Sequence, residues 1–171
     1  MNTQNHQQLS YRPDIDGLRA IAVLGVLLFH LNPAYLPGGF VGVDIFFVIS
    51  GYLITRIILK ELDAGTFTFA YFYERRVRRI FPALFFMLAI CTPLAYLTLY
   101  ADAFITYIGD LKYAAAQIAN IHFGKDIDYF SMDAEQSPLL HTWSLGVEEQ
   151  FYIIWPALLL LCYKMGKKGS V

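Results

Sequence analysis

Long apolar runs alternate with short polar stretches along this chain, and the runs are too long for soluble-domain helices. Leu18–Leu36, Phe40–Leu59, Ile80–Tyr100 and Trp143–Tyr163 each reach the ~20 residues that a transmembrane helix requires. A fifth stretch, Phe104–Phe123, is apolar but interrupted by Asp110, Lys112, Gln117 and Asn120. Pro37, Gly38 and Gly39 make Leu36–Phe40 a tight turn, so the first two spans are expected to be antiparallel neighbours. Lys60–Arg79 reads as a loop with a dense basic end. Asp102–His141 reads as a long, acidic outer segment, and loops of that length usually have a role. The pattern predicts an all-α polytopic membrane bundle with four transmembrane helices and one outer amphipathic helix.

Composition supports that class. At 57% hydrophobic and 16% charged residues, the chain is too apolar for an ordinary soluble domain. The polar stretch Met1–Gly17 runs straight into the first span without a short apolar core and cleavage site, so no cleavable signal is expected. Cys91 and Cys162 both fall within spans, which suggests neither a disulfide nor a metal site. No repeat or linker divides residues 1–171.

Charge sets the orientation. With four spans and a cytoplasmic N-terminus, Arg12, Arg19, Arg56, Lys60, Arg75, Arg76, Arg78, Arg79, Lys164, Lys167 and Lys168 all lie inside. Only Lys112 and Lys125 of the 13 basic residues then lie outside, and a fifth span would weaken this bias. Phe104–Phe123 is therefore read as a helix on the outer surface, with both termini cytoplasmic.

Ionisable groups at membrane depth are costly and mark functional sites by default. Arg19 and His30 are separated by 11 residues, close to three helical turns, so they share a face about 16 Å apart. Asp44 and Glu148 count to a depth similar to that of His30, and a carboxylate beside an imidazole orients it and raises its proton affinity. The inner run Glu74–Arg79, with Arg19 and Arg56 at the same level, forms a cationic cluster suited to a phosphorylated ligand. Simpler roles also exist: snorkelling for Arg19, core packing for His30, topology for the basic run, and charge compensation for the acids. The polar groups packed into Pro138–Tyr152 argue for a hydrated cavity over a bare aromatic belt.

Four motifs in order resemble the membrane acyltransferase-3 family, whose members O-acylate surface glycans, over roughly Tyr11–Tyr163. They are Asp16–Ala22 followed by His30, Gly39–Tyr52, Phe72–Arg76 with Arg79, Ile80 and Pro82, and His141–Leu145 with Glu148, Phe151 and Tyr152. Asp128-Tyr129-Phe130 resembles a bacterial branch that often continues into an extracytoplasmic domain. The resemblance implies an N-terminal part of a longer product in the bacterial inner membrane, completed by further spans or such a domain. It implies no bound cofactor, an acyl-CoA (acetyl-CoA) donor substrate, a carbohydrate acceptor such as a glycan or lipopolysaccharide, membrane lipid as surroundings, and no nucleic-acid partner. His30 matches the family's essential histidine; the geometry fits a general base acting on an acceptor hydroxyl, or on a relay nucleophile, with Asp44 or Glu148 orienting it. Arg19, Arg75, Arg76 and Arg79 match residues linked to donor binding. A proton-coupled transporter or flippase, or a non-catalytic membrane scaffold, would use some of the same groups.

Overall fold

The computed structural model describes residues 12–126 and 137–168, with the side chains of 125, 126, 167 and 168 outside the description. Asp128-Tyr129-Phe130 lies outside the described residues. The chain forms two compact units, residues 1–66 and 67–171. Every regular element among the described residues is helical.

In the first unit, α1 spans Pro13–Leu31. Pro13 opens it with the backbone angle a first turn needs, and Asp14 and Asp16 face the positive end of the helix dipole. The helix stops at Asn32, which is extended because Pro33 follows it, and Asn32 Oδ1 accepts from the Ala34 amide at 2.9 Å. The first span was expected over Leu18–Leu36. The helix is shifted towards the N-terminus, and residues 33–35 form a turn.

A short 3-10 turn, Gly39–Val41, leads into α2, Gly42–Asp63. The return is close. A β-carbon at Gly39 would lie 2.2 Å from Gly25 O, and one at Gly42 would lie 2.4 Å from Ala22 O. Glycine at both positions lets the backbone of the returning chain rest directly on α1. α2 ends with Gly65 in the left-handed region (φ 69°), while the Gly65 and Thr66 amides donate to Leu62 O and Glu61 O.

In the second unit, α3 spans Phe69–Thr98, and Thr68 Oγ1 caps it by accepting from the Tyr71 amide at 3.4 Å. The run Glu74–Arg79, expected at the end of a loop, therefore lies within the helix. Thr68 starts the helix well before the apolar pattern does. The stretch Phe104–Phe123 is also not one helix. α4 covers Ala101–Ala115 and α5 covers Ala119–Asp126. Gln117 adopts φ 57° between them, and the Gln117 and Ile118 amides donate to Ala114 O and Tyr113 O. This is the same hydrogen-bonded stop that Gly65 makes, here without glycine.

The last helix, α6, spans Thr142–Lys168. Leu84, Leu88 and Ala95 of α3 pack with Tyr107 and Ala114 of α4 and with Leu139, and Leu145 of α6 joins their edge. A second cluster joins Ala119, Phe123, Leu140 and Trp143. Among the described residues, three helical stretches are long and apolar enough to cross a membrane: Gly39–Asp63, Phe69–Thr98 and Thr142–Gly166. Exposed apolar side chains such as Val48, Phe86, Leu97 and Leu161 suit a lipid surrounding.

Candidate active site

Each unit holds part of the predicted set. In the first, Arg19 and His30 share the continuous helix α1. Arg19 is half-buried, and its guanidinium lies 3.8 Å from Asp16, one turn earlier. His30, near the C-terminal end, is exposed; its Nδ1 lies 2.8 Å from Val26 O and its ring stands edge-on to Phe29. If Nδ1 carries the proton and donates to Val26 O, Nε2 is left as the basic nitrogen.

Asp44 is exposed in the first turn of α2. Gly39 lies against Gly25 and Phe29, and Gly42 against Ala22 and Val26. Continuing that antiparallel register puts Asp44 near the level of Ala22, about 12 Å from His30 along the helix axis. The expected span ends put His30 and Asp44 at one level, whereas α1 ends at Leu31 and the return runs through Gly39–Val41.

At the start of α1, Arg12 donates to both carboxylate oxygens of Asp14, from Nε at 2.8 Å and Nη2 at 2.6 Å. Its Nη1 also reaches the Tyr52 hydroxyl of α2 at 3.4 Å. The hydrogen bond from Arg12, aided by its charge, holds the Asp14 carboxyl down to about 2.

In the second unit, Arg75, Arg76 and Arg79 follow one another on α3, while Arg78 pairs with Glu74 at 2.7 Å. The Arg75 guanidinium lies 4.2 Å from the Tyr71 ring centre. That of Arg76 lies 5.7 Å from both Phe72 and Tyr152. Tyr152 in turn donates its hydroxyl to Glu148 Oε1. Tyr73 donates to Ile153 O at 3.0 Å beside it. Arg76 and Glu148, assigned by counting to opposite membrane faces, are thus joined through one tyrosine. Leu139, Leu140 and Thr142 at the start of α6 are buried. Arg79 is exposed. Glu149 Oε1 and Arg76 Nε are buried without a hydrogen-bond partner among the described residues.

A second polar cluster escaped sequence reasoning. Asp110 of α4 is 4% exposed, and its two carboxylate oxygens are taken by His122 Nε2 of α5 at 2.9 Å and by the Ser137 hydroxyl at 2.7 Å. Tyr113 stacks on His122 with ring centres 4.0 Å apart. Nearby, Asn120 and Gln150 exchange two amide hydrogen bonds of 3.0 and 2.9 Å between α5 and α6. The only signal was Asp110 itself, an acid amid apolar residues. Its partners belong to none of the motifs.

A family model described as an acyltransferase domain matches residues 12–171, and the chain belongs to this acyltransferase-3 family. A Staphylococcus aureus protein provisionally named an O-acetyltransferase is 45% identical over 157 residues, 91% of this chain and 26% of its own length. The peptidoglycan O-acetyltransferase OatA of Listeria monocytogenes is 41% identical over 94% of this chain and 26% of its own length. The O-acetyltransferase OatA of S. aureus is 38% identical over 93% of this chain and 27% of its own length. The chain therefore spans about a quarter of the length of these relatives. No solved structure matches.

Proposed function

We propose that this chain carries the donor-binding and proton-abstracting part of a membrane O-acetyltransferase, with acetyl-CoA as donor and an extracytoplasmic carbohydrate hydroxyl as acceptor. The family match across residues 12–171 carries the reading. The Listeria relative, named for peptidoglycan, favours a cell-envelope glycan as acceptor. In this reading the apolar part of α1, from Leu18 on, is a fourth span, both termini are cytoplasmic in the bacterial inner membrane, and α4 and α5 lie towards the outer face.

His30 takes the proton of an acceptor hydroxyl. The oxygen attacks the acyl carbon of the thioester, a C–O bond forms, the C–S bond breaks, and the departing CoA sulfur receives the proton from His30. General-base assistance of this kind typically contributes ~10²–10⁴ in rate. Arg75, Arg76 and Arg79 bind the phosphates of the donor, where guanidinium groups have geometric and electrostatic advantage. Arg19 is a further donor-binding candidate, and Glu148 takes part in the proton traffic. Asp44 retains a charge-compensating role, since its level on α2 differs from that of His30.

The test uses membranes carrying the complete protein and acetyl-CoA labelled in the acetyl group. Base-labile label should accumulate on envelope carbohydrate in proportion to the protein present. Labelled carbohydrate at the same level in membranes lacking it would refute the reading.

A further inference from the structure

We infer that Tyr152 is a positioning residue for the acyl transfer, fixing Glu148 against the arginine-bearing face of α3. The inference rests on the proposed function of Glu148 and goes beyond it by naming what holds that carboxylate. Tyr152 is 4% exposed and stands four residues after Glu148, one helical turn along the same face of α6. Its hydroxyl donates to Glu148 Oε1. The face of its ring carries the Arg76 guanidinium 5.7 Å from its centre. Tyr73 reaches Ile153 O at 3.0 Å, so α3 and α6 are joined at two successive residues.

Each contact constrains a different freedom. The hydroxyl restricts the Glu148 rotamer and occupies one of its oxygens. The ring is stacked against an arginine whose Nε is buried without a hydrogen-bond partner among the described residues. That guanidinium lies over two aromatic rings, Phe72 on its own helix and Tyr152 on the other. One side chain thus sets the distance between a cation on α3 and a carboxylate on α6. Reacting groups gain rate from such placement, and displacement by about 1 Å can cost as much as ~10²-fold.

Tyr152→Phe preserves the ring and removes only the hydroxyl. In the complete protein it should lower kcat between about 10-fold and 10²-fold. The KM for acetyl-CoA should stay within a few fold, because the arginines and the ring beneath Arg76 are unchanged. Glu148→Gln should lower kcat as well, and Y152F added to E148Q should cause no further loss. Full activity of Y152F beside an inactive E148Q overturns the positioning role and leaves the role of Glu148 standing. A fully active E148Q overturns both. A double variant that loses the product of the two single effects overturns it too, since Tyr152 would then act independently of Glu148. So does Y152F protein lost from the membrane with unchanged turnover per remaining molecule, because Tyr152 would then serve packing alone.

Discussion

Gly39 packs so closely on Gly25 that a β-carbon at position 39 would stand 2.2 Å from the Gly25 carbonyl oxygen. The clash would be with backbone, which cannot rotate away. The reverse substitution differs: a β-carbon on Gly25 would meet its nearest neighbours at 3.6 Å, an ordinary contact. Gly39→Ala should therefore destabilise the α1–α2 pair by about 1–3 kcal/mol, as overpacking does. Gly25→Ala should be nearly neutral. Thermal unfolding of the two variants in detergent checks this, and equal melting temperatures would contradict the register that sets the level of Asp44.

The Asp110 carboxylate is predicted to be a structural keystone of the second unit. Asp110→Ala removes the shared acceptor of His122 Nε2 and the Ser137 hydroxyl from a part-buried place, at a cost of roughly 1–3 kcal/mol in all. Ser137→Ala removes a single bond and should cost less. In a double-mutant cycle the two substitutions should be non-additive. Additive losses would show that the bond contributes nothing.

Asp14 supplies a prediction about pH. Its carboxyl is depressed from the usual 3.8 to about 2 by Arg12, so the bridge favours the folded state above the unfolded value and loses that effect as pH falls through about 2. Between pH 5 and 7 the pair should not change. Carbon-detected NMR of labelled Asp14 should show an acid-shifted midpoint, and Arg12→Ala should return it towards the ordinary carboxylate value. Both groups are exposed, so salt should weaken the shift.

Much of the fold was legible because bilayer length and apolar pattern are strong signals. The Pro-Gly-Gly turn forecast the antiparallel α1–α2 pair, and Thr68 and Gly65 carry recognisable cap chemistry. The departures have local causes. Helix α1 ends early because Asn32 precedes Pro33, and the basic run is helical because Thr68 caps before it. Gln117 breaks Phe104–Phe123 in a left-handed conformation that no glycine announced. Of the candidate site, residue types were readable but levels were not. Arg76 meets Glu148 through Tyr152 because α3 and α6 touch at Tyr73–Ile153 and Arg76–Tyr152, a pairing that the order of residues does not reveal. Asp110, His122 and Ser137 are spread over 27 residues in sequence and meet only after α4 and α5 fold back.

The proposed orientation predicts labelling behaviour. In a variant lacking Cys91 and Cys162, a cysteine at Tyr100, 90% exposed, should react with an impermeant reagent added to intact cells. A cysteine at Lys164 should react only after permeabilisation. Outside labelling at Lys164 would overturn the orientation.

The central claim is that His30 serves as the base. His30→Gln keeps polarity and approximate size while removing the titratable ring, so the complete protein should reach its normal membrane level and bind acetyl-CoA within a few fold of the parent. Its rate of acetyl transfer to carbohydrate, measured per molecule, should fall by ~10²–10⁴. A well-expressed His30→Gln protein with the parent's transfer rate would contradict the assignment.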